Sequence, residues 1–286
     1  MVKNIVTGGG GFLGSHLIDN LLLKGEKVIC IDNFCSSVLE NLNKWKNNEN
    51  LKIIKHDIIK PLSIKGDRIW HLACPASPIH YQNDPILTAK TCFIGTYNML
   101  EIAKENNAKF LLASTSEVYG NPRNHPQKES YNGNVNPIGP RSCYVEGKRI
   151  SETLCLDFKR IHNIDIKIIR IFNTYGPRMS AKDGRLISNF ILSGLEKSPF
   201  LINGDGSQTR SFCYVDDLIK GMVLMMNSNY TGPINLGNPV EYSVKELARL
   251  IMEKLEIKNK IIYRSLPLDD PLRRKPNINL AKKLLL

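Results

Sequence analysis

Two short stretches hold the residues with which this chain could do chemistry. Tyr144-Val145-Glu146-Gly147-Lys148 presents a phenol and an ammonium four positions apart, and upstream Ser114-Thr115-Ser116-Glu117 presents hydroxyls and a carboxylate. On a helix, positions four apart share a face. A free phenol ionises near about pH 10, and a neighbouring cation favours the phenolate. Lys148, together with the positive charge of a bound hydride acceptor, would therefore bring Tyr144 toward a base that takes a hydroxyl proton while a hydride leaves the same carbinol carbon. Taken alone, the spacing describes an exposed Tyr and Lys equally well. Thr115 shifts that reading. It closes a predicted central strand, at the end where open α/β sheets bind ligands, and can hydrogen-bond the same carbinol oxygen.

A hydride needs an acceptor, and the start of the chain offers a place for one. The first predicted strand runs into Thr7-Gly8-Gly9-Gly10-Gly11-Phe12-Leu13-Gly14, followed by a helix ending near Gly25. Glycines at such a turn let the backbone approach a pyrophosphate, which the helix N-terminal amides then meet. Glycines also mark ordinary turns, so the context carries the inference: a strand before, a helix after, and Asp32 at the end of the second strand. A carboxylate there accepts from ribose hydroxyls and repels a 2′-phosphate, which predicts NAD rather than NADP. A strand-end cap is the alternative for Asp32.

The elements that position these groups alternate. β-rich runs at Lys3–Thr7, Lys27–Ile31, Leu51–His56, Arg68–Ala73, Lys109–Thr115 and Ile164–Phe172 are mostly separated by segments with helical spacing. The expected fold is α/β, a Rossmann-type doubly wound parallel sheet with helices on both faces. Asp84-Pro85 reads as a cap with proline at the first helical position, and Ser243-Val244-Lys245-Glu246 as a capping box. Beyond residue 172 the rhythm loosens into Gly-, Pro- and Arg-bearing loops. Residues 1–172 are therefore expected to form the NAD-binding domain. Residues 173–286 are expected to form mainly a smaller α/β substrate-binding lobe, with parts of 204–230 packing back on the first.

Composition narrows the function classes. The 286 residues are 42% hydrophobic, enough for a substantial core, and the formal charge is +12. The lysines are scattered and Arg273-Arg274-Lys275 is the one compact basic run, so nucleic acid is not an expected partner. The charge is either a solvated surface or a field that draws in an acidic small substrate. Seven cysteines include no Cys-x-x-Cys and no zinc-like spacing to histidine, and read as reduced, mostly buried thiols. The histidines are dispersed, His71 reads as a core residue, and no metal is expected. No apolar run approaches the roughly 20 residues that span a bilayer, and no leader precedes the first strand. No membrane partner is expected, and a cytoplasmic location follows.

The motifs together resemble the extended short-chain dehydrogenase/reductase family: the glycine start, a Ser/Thr before Val118-Tyr119-Gly120, and the Tyr144/Lys148 helix. Within it, the chain is similar to the branch that decarboxylates UDP-glucuronate. The resemblance runs through His71-Leu72-Ala73-Cys74-Pro75-Ala76-Ser77-Pro78, ASTSEVYG at 113–120, His125-Pro126-Gln127, NVNPIGPRSCY at 134–144, FNTYGPRM at 172–179, GDGSQTRSFCYVDD at 204–217 and Arg274-Lys275-Pro276.

The resemblance implies a reaction and assigns roles. Oxidation at carbon 4 of UDP-glucuronate, loss of carbon dioxide and re-reduction would give UDP-xylose, with catalytic NAD. Tyr144, Lys148 and Thr115 would serve the oxidation, Glu117 would deliver a proton to carbon 5, and Arg274 would hold the carboxylate. Asn33, Asp57 and Ile58, with Leu72 and Ala73, would join Gly8, Gly11, Phe12, Leu13, Gly14 and Asp32 around the cofactor; for Asp57 a strand-end cap is nearly as good a reading. Asn173, Arg185 and Arg210 would meet the UDP, arginine's planar fork suiting phosphate oxygens. Ser77, Tyr81 and Tyr175 are weaker substrate contacts, since such residues more often only pack.

A homodimer through the helices near Asp84–Asn106 and Tyr144–Asn163 is also implied, although their apolar faces fit burial on the sheet equally. A 4,6-dehydratase of this fold would place Asp at Ser116, a 4-epimerase would need no Arg274, and a non-catalytic NAD-binding protein would lack Tyr144 or Lys148. Three departures stand out. Val145 replaces a commonly acidic residue, Cys92 sits where many members carry asparagine, and relatives continue through a further helix beyond Leu286, which bears on packing of the C-terminal lobe.

Overall fold

Apolar runs and turn residues set the order of elements in the computed structural model, which describes residues 1–286. β1 (Lys3–Thr7) runs through the glycine turn into α1 (Phe12–Leu23), followed by β2 (Lys27–Asp32), β3 (Leu51–Lys55) and β4 (Arg68–His71). α2 (Pro78–Asn83) and α3 (Pro85–Lys90) both begin at proline, and the Asp84 side chain caps α3 by accepting the Leu87 amide at 2.9 Å. α3 passes through a π-helical turn at Thr91–Gly95 into α4 (Thr96–Asn106), then β5 (Lys109–Thr115), α5 (Ser142–His162) and β6 (Ile166–Ile171). There follow β7 (Thr174–Tyr175), α6 (Leu186–Leu195), β8 (Phe200–Asn203), β9 (Thr209–Ser211), β10 (Cys213–Tyr214), α7 (Val215–Asn227) and β11 (Ile234–Leu236). β12 (Glu241–Ser243), α8 (Val244–Lys254), β13 (Ile261–Arg264), β14 (Arg273–Arg274) and α9 (Asn279–Leu285) complete the chain.

Seven strands make one parallel sheet in the order β3-β2-β1-β4-β5-β6-β11, the doubly wound α/β fold. Successive residues of a strand point to opposite faces, so Ile5 and Val6 enter different cores. One face packs Val6, Trp70 and Leu111 under α1 and α7; the other packs Ile5, Ile69 and Phe110 under α4 and α5. Each fully buried side chain of this size contributes about 1.5–3 kcal/mol. A third, smaller core around Phe190, Phe200, Ile202 and Leu247 holds the C-terminal lobe together. There the capping box at the start of α8 forms, with the Glu246 amide donating to Ser243 Oγ at 3.1 Å.

Three differences from the sequence expectation have local causes. β4 ends at His71, not Ala73: the Leu72 amide still reaches the Thr7 carbonyl at 3.2 Å, but the Ala73 amide leaves the ladder to donate to Thr7 Oγ1 at 3.2 Å. The sixth strand is Ile166–Ile171, shorter at both ends than the expected Ile164–Phe172. The seventh strand was not expected at all. Its centre is Asn235, fully buried, whose Oδ1 accepts the Tyr119 hydroxyl at 2.7 Å and whose Nδ2 donates to the Gln127 and Asn277 carbonyls. A polar residue in a three-residue strand hides the apolar run that would have marked it. α7 carries Asp216 and Asp217 in its first turn, where they complement the helix dipole, and buries Leu218, Ile219 and Met222 against the first face.

Candidate active site

The parallel register lines the C-terminal strand ends along one edge, and a cleft of about 740 Å³ opens there between the sheet and the C-terminal lobe. In its cofactor half, Gly8 has φ +70°, a conformation that glycine adopts without cost. A methyl group built on Gly14 would overlap the Gly8 carbonyl oxygen, so only glycine lets α1 start this close to the turn. Phe12 and Leu13 open that helix and line the cleft, with Gly11 as the N-cap.

Asp32 Oδ2 accepts the Gly10 amide at 2.9 Å, and Oδ1 accepts the Phe34 amide and the Ser37 hydroxyl at 2.8 Å each. It does act as a strand-end cap. With about four acceptor directions on a carboxylate, it still has room for a ribose hydroxyl. Asn33 Nδ2 donates to Asp57 Oδ2 at 3.2 Å, tying the ends of β2 and β3 beside buried Ile58. Leu72 and Ala73 form the facing wall. A glycine cradle, an acidic ribose site and apolar walls together fit a dinucleotide.

Tyr144 and Lys148 lie in the first two turns of α5, both buried, and Thr115 ends β5 opposite them. The Tyr144 phenol is hydrogen-bonded to the Thr115 hydroxyl. Lys148 Nζ donates to the Ala113 carbonyl at 2.9 Å. Burial first, then the Cys74 and Glu117 charges, hold the Tyr144 phenol well above its ordinary range, and the Thr115 hydrogen bond only partly opposes them. In the protein by itself burial wins and Tyr144 is a neutral phenol; the expected lowering rests on Lys148 together with the nicotinamide charge. His71 lies beneath, held by the Thr7 and Thr96 hydroxyls at 3.0 and 3.1 Å. Burial, aided by Lys148, pushes it down to about 3, so it is a neutral core residue.

In the substrate half, three arginines share two carboxylates. Glu117 Oε1 lies 3.4 Å from Arg274 and 3.8 Å from Arg141, and Asp270 bridges Arg141 at 2.8 Å and Arg210 at 2.9 Å. Arg274 Nη1 also donates to Asn173 Oδ1 at 3.3 Å. Arg185 pairs with Asp183 at the start of α6. Burial and the Arg274 charge push Arg210 down from its ordinary value, with Asp270 opposing.

Four buried polar atoms around this network have no partner: Ser77 Oγ, Tyr81 OH, Arg141 Nε and Arg274 Nη2. A buried polar atom without a partner costs about 1–3 kcal/mol, so this cluster is built for something that supplies the missing bonds. Tyr81 stacks on Tyr144 with ring centroids 5.0 Å apart and planes 3° from parallel. Tyr175 lines the same cleft while packing edge-on to Tyr214 against the third core. Arg141 and Asp270 were missed in the sequence. Their signals, an Arg just before Tyr144 and an Asp just before the Arg273-Arg274 run, were visible only as ordinary surface charge.

Residues 5–270 match the family model described as GDP-mannose 4,6 dehydratase. The curated relative named UDP-glucuronic acid decarboxylase 4, from Arabidopsis thaliana, is 52% identical over 285 residues, which is 100% of this chain but 64% of that protein. The chain thus spans less than two thirds of that relative's length. Among solved structures, a UDP-N-acetylglucosamine 4-epimerase from Methanobrevibacter ruminantium, in complex with UDP-N-acetylmuramic acid, superposes with TM-score 0.90 at 32% identity, covering 99% of this chain and 91% of that one. A UDP-glucuronic acid 4-epimerase from Bacillus cereus, in complex with UDP-glucuronic acid and NAD, gives TM-score 0.87 at 27% identity, covering 99% and 92%.

Proposed function

This chain belongs to the GDP-mannose 4,6 dehydratase family of extended short-chain dehydrogenase/reductases, and on that footing we propose that it decarboxylates UDP-glucuronate to UDP-xylose with catalytic NAD. One observation carries the reading: Arg274 Nη2 is buried without a partner beside Glu117, in the cleft that also holds the Tyr144–Thr115 pair. A guanidinium left half-satisfied next to a proton-transfer pair suits a substrate with a carboxylate close to a reacting hydroxyl.

Bound NAD would supply the hydride acceptor that makes carbon 4 a carbonyl and the donor that restores it. Tyr144, once ionised beside the charges of Lys148 and the nicotinamide, takes the carbon 4 hydroxyl proton, and Thr115 shares that oxygen. The carbonyl lies β to the carboxylate, so the electrons left by departing carbon dioxide pass into an enolate. Tyr144 and Thr115, now both donors, stabilise its oxygen. Arg274 orients the carboxylate until it leaves, and Glu117 delivers a proton to carbon 5. Lys148, held by Ala113, is placed to position the ribose of the cofactor. Arg185, Arg210 and Asn173 would receive the UDP, with Ser77 and Tyr81 offering their unpartnered hydroxyls to the sugar.

Incubation with UDP-glucuronate followed by mass spectrometry tests this. We expect a product lighter by carbon dioxide; loss of water would identify a dehydratase, an isomer of unchanged mass an epimerase, and no change would sink the reading.

No helix is long and apolar enough to cross a membrane. A cytoplasmic homodimer is our reading of the whole, supported by seven free thiols, as in a reducing compartment, and by an apolar outer face. That face is made by Ile86, Phe93, Ile94 and Tyr97 along α3–α4 and Ile150 on α5, all exposed. Sedimentation should show a dimer for the parent protein and a monomer for a Phe93→Arg, Ile150→Arg double variant. A monomeric parent protein would exclude it.

A further inference from the structure

Two of the seven thiols meet at the catalytic helix, and nothing in the proposed reaction uses them. Cys74, in the loop after β4, and Cys92, in the π-helical turn between α3 and α4, place their sulfurs 3.4 Å apart. They are 18 residues apart in sequence, and no spacing rule pairs them. Cys74 is half-buried and lines the cleft, which gives a small reagent a route to it, whereas Cys92 is 1% exposed.

The pair is wedged against the turn of α5 that carries Tyr144 and Lys148. A β-carbon built on Gly147 would sit 2.8 Å from Cys92 Cβ and 2.9 Å from its sulfur, so glycine is what lets Cys92 lie here. The Cys92 carbonyl accepts the Ser151 hydroxyl at 2.8 Å, fixing the π turn to the same helix. On the other side, Cys74 opens the Cys74-Pro75-Ala76-Ser77 loop. That loop leads to Ser77 and to Tyr81, whose ring lies on Tyr144. The two sulfurs thus join the segment that leads to Tyr81 with the turn packed on Gly147, both beside Tyr144 in the fold.

We propose that Cys74 and Cys92 form a reversible disulfide that switches the cleft off under a peroxide oxidant. The Cys74 thiolate attacks the peroxide oxygen, the O–O bond breaks, and one oxygen leaves as water with a proton, giving a sulfenic acid. The Cys92 sulfur then attacks the Cys74 sulfur, the S–O bond breaks, and a second water leaves. The two thiols lose two protons and two electrons in all, and peroxide is reduced to two waters. The hydrogen bond from Cys92, then the Lys148 charge, favour the Cys74 thiolate against burial, which supplies the nucleophile. A disulfide bond is about 2.05 Å long, so closure draws the sulfurs together by roughly 1.4 Å. That movement is transmitted to the Ser77–Tyr81 loop on one side and to Gly147 on the other. A dithiol reverses it by exchange.

The disulfide itself is independent of the reaction proposed above, whereas its effect on turnover rests on that reading. The test treats the full chain with a small excess of hydrogen peroxide, alkylates the remaining thiols, and maps the digest by mass spectrometry while assaying UDP-glucuronate turnover. We expect a linked Cys74–Cys92 peptide, turnover lowered on the order of 100-fold as for a displacement of about 1 Å in an active site, and recovery of both with dithiothreitol. Cys92→Ser, which keeps the size of the side chain, should be immune to this reversible loss, and Cys35→Ser, at the exposed thiol, should behave as the parent. Cys74 and Cys92 both alkylated after oxidation, Cys74 linked to Cys143 instead, or a linked protein with undiminished turnover would each overturn the proposal. If the reduced protein does not turn over UDP-glucuronate, the functional reading fails, while the linked peptide still decides whether the disulfide forms.

Discussion

Tyr144→Phe should lower turnover of UDP-glucuronate by about 10²–10⁴-fold while leaving the fold and cofactor affinity close to those of the parent. The substitution removes one oxygen. The ring keeps its stacking on Tyr81, and Thr115 Oγ1 keeps the bond it accepts from the Glu117 amide at 3.2 Å, so no buried group loses its last partner. What disappears is the group that exchanges the carbinol proton. Because burial holds the phenol above its ordinary range, the parent rate should rise with pH as the phenolate becomes accessible, and the variant should lose that rise. Steady-state rates across pH, with thermal melts as a folding control, check both. A variant that turns over normally would remove Tyr144 from the mechanism and leave the cleft without a base.

Arg274→Ala comes next in expected effect, a fall in kcat/KM on the order of 10²–10³-fold, from the cost of leaving a buried charge without its partner. Arg274 is 8% exposed and holds Glu117 and Asn173 on one side of its guanidinium, leaving Nη2 for the substrate. The backbone of β14 pairs with β9 whatever the side chain, so the lobe should keep its shape. Arg274→Lys should rescue little, because an ammonium is a point charge and cannot hold Glu117, Asn173 and a carboxylate at once. Competition by free UDP, which lacks the carboxylate, should be unchanged in both variants. If UDP binding falls in parallel with turnover, Arg274 serves the nucleotide or the packing of the lobe and not the glucuronate carboxylate.

Asp270 shows how the two halves of the site are connected. It joins Arg141, just before the turn of α5 that carries Tyr144, to Arg210 in the C-terminal lobe. The partners lie 129 and 60 residues from it along the chain. No periodicity or turn rule reaches that far, and each residue alone reads as solvated charge. Cys74 and Cys92 make the same point at shorter range, since they face each other only because the β4 loop folds over the π turn.

The sequence by itself determined the parts that depend on neighbours within a few residues. Strands at Lys3–Thr7 and Lys109–Thr115 end where the alternation of apolar residues and the turn chemistry say they should. The Asp84 and Ser243 caps form as written, and the glycine turn meets α1 as its spacing requires. Tyr144 and Lys148 share a face because helix geometry makes positions four apart neighbours. Only the tertiary structure decided which way the phenol shifts, which arginine is left with a free arm, and that buried Asn235 belongs to a seventh strand. Those outcomes depend on burial and on partners distant in sequence, whose strength is set by the water that packing excludes and not by the residue types themselves.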